Sequence, residues 1–138
     1  MRKKLIIVIL CLVVLSVPML AHAWVSQEYV HNISFSSNYT TPTHNYIYND
    51  MGYNYTASSA IPGTYFQGTL YRDRWFGNQN IGTSGDCPMS ETAMVVRWEG
   101  VNEGDYDYYF VFNAFNNYFT SGSRATISGE FKLLSVQD

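Results

Sequence analysis

The chain has 138 residues, with 8 Lys+Arg against 11 Asp+Glu, a formal net charge of −3, 17% aromatic residues and two cysteines. That length sets one domain. The acidity argues against a nucleic-acid partner, whose phosphate backbone is bound by clustered Lys and Arg.

The first element is expected to leave the protein. Arg2, Lys3 and Lys4 precede an apolar run over residues 5–17, Pro18 breaks it, and Ala21, His22 and Ala23 follow. A charged start, an apolar middle and an A-x-A ending describe a secretory signal peptide of bacterial type. The expectation is a leader over residues 1–23 and a single secreted, extracellular domain over residues 24–138. Cys11 lies inside the apolar run, so the lipoprotein pattern is absent. Cleavage removes three basic residues and no acid, leaving 138 − 23 = 115 residues and a charge of 5 − 11 = −6. Such a chain is a poor partner for anionic headgroups. It retains no membrane span, and its one cysteine, Cys87, has no intramolecular partner. A domain of this size can still bury about two-thirds of its unfolded surface without a disulfide.

From Trp24 onward, apolar and polar residues alternate between Gly, Pro, Asn and Ser punctuation, the period of strands. In "EYVHNISFSS", Tyr29, His31, Ile33 and Phe35 share one face. "NYIYND" and "YNYTAS" come next, with Asp50, Met51 and Gly52 between them reading as a tight hairpin turn. After Ile61, Pro62 and Gly63, "TYFQGTLYRDRWF" sets Phe66 and Leu70 against Tyr65 and Tyr71. Residues 77–90 hold three glycines, a proline and no period, and read as the longest loop. "TAMVVRWEG" then alternates Met94, Val96 and Trp98 against Ala93, Val95 and Arg97.

The stretch "DYDYYFVFNAFNNYF", residues 105–119, packs eight aromatic rings into fifteen positions. Its uncharged part is shorter than the roughly 20 apolar residues of a membrane helix. As a strand it shows Tyr108, Phe110, Phe112 and Ala114 on one face and Tyr109, Val111, Asn113 and Phe115 on the other. With both faces apolar, it belongs in the middle of a sheet. The same features mark cross-β zippers, and Asp105, Asp107 and Arg124 stand as flanking charges against that outcome. "RATISGEFKLLSV" closes the chain with Ile127, Phe131 and Leu133 facing inward. Six to seven strands at this spacing predict an all-β fold, an antiparallel β-sandwich or small barrel.

Chemistry is sparse. Cys87 with His31 or His44 is a permitted nucleophile pattern, but no family-type signature surrounds it. Between Asp86 and Pro88 in a loop, it reads instead as a reactive thiol, open to reagents and able to link two chains into a disulfide dimer. There is no nucleophile elbow and no His/Cys metal spacing. Glu103, Asp105 and Asp107 alternate and would point one way in an extended chain, an oxygen set for calcium. The plainer reading is a solvated turn, and no other cofactor is implied. Asp73, Glu99 and Glu103 are acids from which a glycosidase pair could be drawn, but pairs of acids are common and the sequence does not place these.

Aromatics are the feature in excess: twelve Tyr, eight Phe and three Trp. A core of this size cannot hide them all, and an apolar ring with a polar tip suits a binding surface. Trp24, Tyr71, Trp75 and Trp98 are the candidate binding residues. Their plainer role is as ordinary outward strand residues.

The segment "WVSQEYVHNISFSSNYTTPTHNYIYN" resembles, over about a fifth of the chain, the start of lactococcin-type bacteriocins, which are small secreted β-sandwiches. The matching residues are Trp24, Ser37, Asn38, Tyr39, Thr43 and His44. Spacings differ and the downstream portion does not follow. "NQNIGTS" is similar to the calcium loop of βγ-crystallin domains, with Gln79 in place of its first acid or amide. Neither resemblance sets the expectation, which is a secreted, non-enzymatic β-sandwich recognising an envelope glycan or protein through aromatic side chains. A secreted antibacterial toxin and an extracellular hydrolase with a carboxylate site are the alternatives.

Overall fold

The alternating pattern folds into two antiparallel sheets packed face to face. The computed structural model describes residues 25–104, 106–117 and 125–137. In chain order the strands are β1 (Val25–Phe35), β2 (Asn38–Thr40), β3 (His44–Asn45), β4 (Asp50–Ser58), β5 (Thr64–Asp73), β6 (Gln79–Thr83), β7 (Cys87–Pro88), β8 (Ser90–Trp98), β9 (Asp107–Asn116) and β10 (Ile127–Gln137). The first sheet runs β1-β10-β4-β8; the second runs β2-β9-β5-β6, with β3 added to β9 and β7 to β5. Seven of these strands have five residues or more, and they form a sandwich. The leader, Trp24, Asp105 and Arg124 lie outside the described residues. Among the described residues, no helix is long and apolar enough to cross a membrane.

Strand β9, cut from the aromatic stretch, lies inside its sheet. It pairs with β5 from Asp107↔Asp73 to Asn116↔Thr64, and with β2 and β3 on its other side. Tyr108, Phe110 and Phe112 are fully buried. Phe112 sits 4.7 Å from Phe131 and 5.0 Å from Tyr53, ring centre to ring centre, so the second sheet is keyed into the first. Burial of each such ring favours folding by about 1.5–3 kcal/mol, which is why an uncharged segment stays hidden rather than pairing with another chain. Ile33, Phe35, Phe66, Leu70, Ile127, Phe131 and Leu133 are buried with it, as their alternation predicts.

Two expectations are corrected. Residues 50–52 form no hairpin, because they open β4 and pair with Val136, Ser135 and Leu134 of β10. Asp50 is not a turn residue but a buried carboxylate: Oδ2 accepts from Arg97 Nε at 2.9 Å and Oδ1 from the Gly100 amide at 2.7 Å. Gly52 is needed for close approach, since a side chain there would run into the Val96 carbonyl of β8. The second correction concerns residues 77–90, which contain β6 and β7. Cys87 pairs with Phe66 of β5 and is 3% exposed. Its Sγ lies 3.3 Å from the Tyr53 hydroxyl and 3.5 Å from Ser84 Oγ. The thiol expected in an open loop is a core side chain, so neither an accessible nucleophile nor a surface disulfide link is built at this position.

Candidate binding platform

The second sheet turns its other face outward, and the pleat decides what it shows. On β5 the outward residues are Tyr65, Gln67, Thr69, Tyr71 and Asp73; on β9 they are Asp107, Tyr109, Val111, Asn113 and Phe115. The register puts Tyr71 opposite Tyr109 and Tyr65 opposite Phe115. Both pairs stack, Tyr71–Tyr109 at 5.2 Å and 8°, Tyr65–Phe115 at 5.3 Å and 19°. Cross-strand aromatic pairs of this kind contribute about 0.2–1 kcal/mol each. Asn78 Nδ2 donates to the Tyr109 hydroxyl at 2.9 Å, fixing the phenol. Beyond the tyrosines, Asp73 and Asp107 stand opposite each other, both exposed.

Strand β5 runs out of this face into a projecting turn. Trp75 is 95% exposed and Phe76 62%, their rings edge to face at 5.2 Å. Gly77, with φ +125°, closes the turn, and its amide donates to the Arg74 carbonyl at 3.2 Å. The base beneath is rigid because Arg72 is buried and fully engaged. Its Nε donates to the Tyr108 hydroxyl at 3.1 Å, Nη1 to Gln79 Oε1 at 3.0 Å and Nη2 to the Val101 carbonyl at 3.1 Å. Glu103 adds an ion pair at 3.4 Å. A buried guanidinium is tolerated only with its donors satisfied in this way. Arg74 lies over the Phe76 ring at 5.3 Å and bonds Gln79.

Of the residues singled out from the sequence, Tyr71 and Trp75 fall on this platform and the adjoining turn. Trp98 does not: it is half-buried on the inner face of β8, 6.0 Å from Tyr53 and from Phe110, sealing the core. Trp24 is outside the described residues. Glu103 is held by Arg72, Asp107 belongs to the outer face of β9, and Asp105 is outside the described residues. Among the described residues, no three His, Cys, Asp or Glu side chains gather to hold a metal. Tyr109 joins the platform through the β5–β9 register and Asn78 through its hydrogen bond to Tyr109, while Asp107, expected as a calcium ligand, faces Asp73 across the same register.

Elsewhere, a groove of about 420 Å³ separates β8 from residues 83–88, lined by Tyr55, Cys87, Met94 and Trp98 among others. The hydroxyls of Tyr53 and Tyr55 beside it have raised pKa values, first through burial and then through Cys87. At the opposite edge of the sandwich, His44 is held below the ordinary imidazole value by burial and then by His31, against the opposing pull of Asp107.

No protein-family model and no curated protein matches the chain. Solved structures do. The chain is similar to a structure of the infectious bursal disease virus Gx strain, with 12% identity, a TM-score of 0.47, and coverage of 81% of this chain and 32% of that one. It is similar to the Yersinia pseudotuberculosis-derived mitogen, with 11% identity, a TM-score of 0.43, and coverage of 83% and 89%. The chain spans about a third of the length of the viral protein. A likeness at this level says nothing of ligand or activity.

Proposed function

We propose that the chain is a secreted, non-enzymatic binding protein and that the outer face of its second sheet recognises a glycan. The observation that carries this reading is the stacked Tyr71–Tyr109 pair, pinned by Asn78, beside a tryptophan with 95% of its surface in solvent. Sugar rings present apolar C–H faces that pack on flat aromatic side chains, and hydroxyls that donate to carboxylates and amides. Asp73, Asp107 and Asn45 supply those acceptors along the same edge. A rigid platform loses little entropy on binding.

The hydrolase reading has one supporting feature, the side-by-side placement of Asp73 and Asp107, since glycosidases use paired carboxylates. Both are exposed on an open strand surface, where nothing shields a reacting bond from water, and binding is the better account. A glycan array probed with the purified protein tests it. Defined glycans should be retained, and Trp75→Ala and Tyr109→Ala should lose about tenfold or more of the signal while remaining folded. Equal binding by both variants, or a protein ligand captured in place of any glycan, would sink the proposal. Turnover abolished by Asp73→Asn would favour the hydrolase.

A further inference from the structure

The seam where β1 meets β3 holds a cluster that the platform does not use. His31 comes from the first sheet and His44 from the second, and their ring centres lie 5.8 Å apart with planes tilted 31°. Tyr29 stacks on His44 at 3.8 Å, and Tyr46 meets both Tyr29 and His44 edge-on. The Nε2 atoms of His31 and His44 are buried with no hydrogen-bond partner, as is the Tyr46 hydroxyl. Buried polar atoms in folded proteins are nearly always satisfied. Three bare ones in a single ring cluster call for an occupant.

The spacing narrows what that occupant is. With metal–nitrogen distances of about 2.0–2.1 Å, two imidazoles on one ion hold their ring centres roughly 5–6.5 Å apart. The observed 5.8 Å falls in that range. Both histidines are half-buried at the sandwich edge.

We propose that His31 and His44 together chelate a divalent transition-metal ion through their Nε2 atoms, with water completing its shell. Imidazole donors without thiolate suit copper, nickel and zinc rather than calcium. The site adjoins the glycan platform through β3, where Asn45 follows His44, but uses none of the platform's side chains. A bound ion would tie β1 to β3, one sheet to the other, and stabilise the folded state.

The test is titration of chelator-stripped protein with nickel, copper and zinc chlorides, by calorimetry and thermal melting. Saturation at one ion per chain and a raised melting temperature are expected. His31→Ala and His44→Ala should each weaken binding about tenfold or more with an unchanged circular dichroism spectrum. If the alanine variants fail to fold, His31→Gln and His44→Gln keep the bulk and are read in their place. A flat titration, as a bridging water alone would give, overturns the site. So does binding that survives both histidine substitutions.

Discussion

Strand β9 carries two aromatic faces one residue out of step, and they meet opposite fates. Tyr108, Phe110 and Phe112 are closed off completely, whereas Tyr109 and Val111 are half-exposed and Phe115 is 41% exposed. The chemistry of the two faces is nearly the same. What differs is the opposing layer: the inner face meets Tyr53 and Phe131 of the other sheet, while on the outer face, among the described residues, the rings stack on their in-sheet neighbours Tyr65 and Tyr71. Aromatic content therefore does not tell core from surface in this chain. Parity along the strand does.

Substitutions on the two faces should separate accordingly. Phe112→Ala removes a buried ring and leaves a cavity, costing about 3–5 kcal/mol out of a total of roughly 5–15 kcal/mol. Its urea midpoint should fall sharply, and a shift below about 1 kcal/mol, ordinary for a surface site, would break the comparison. The buried tyrosines add a pH dependence of known sign. Because burial raises the Tyr53 and Tyr55 hydroxyls, their stabilisation is full below the unfolded value near 10 and is lost as pH rises towards the folded one. Urea midpoints should therefore fall as pH climbs through that window. Urea midpoints between pH 8 and 11.5, followed with tyrosinate absorbance, check this, and midpoints flat to pH 11.5 would contradict it.

The outer face should give smaller numbers. Tyr109→Ala loses a stacked partner, and a stability change of about 1 kcal/mol or less is expected. Trp75→Ala should change stability by under about 0.5 kcal/mol while lowering the proposed glycan binding about tenfold or more. Cys87 sharpens the comparison without a substitution. Buried beside Tyr53, it should react with a thiol reagent far more slowly in native protein than in urea. Equal rates would place β7 outside the core.

The inward set was legible because alternation survives wherever a strand is half-buried, as from Tyr29 to Phe35 and from Ile127 to Leu133. Asp50, Met51 and Gly52 misled because turn and close-approach glycines look alike in one dimension. Only the carbonyl of Val96 on a distant strand makes Gly52 a strand residue. Residues 79–83 are too polar and glycine-rich to show a period, and their strand exists through pairing with β5. Half of the platform was equally readable. Tyr71 and Trp75 announced themselves by type, while Tyr109 and Asn78 joined them through a register that no local pattern encodes.

The eleven-residue pairing of β1 with β10 bears on how the molecule meets force. The pairing begins at Val25↔Gln137 and ends at Phe35↔Ile127, so the strand start and the strand finish lie together. A load drawn between Val25 and Gln137 acts across the ladder and opens its hydrogen bonds one at a time, like a zipper. It does not shear them all at once. A chain held at those two points should therefore yield at low tension. The aromatic platform would not lie on that load path, because its strands β5 and β9 pair with each other over ten residues in the other sheet.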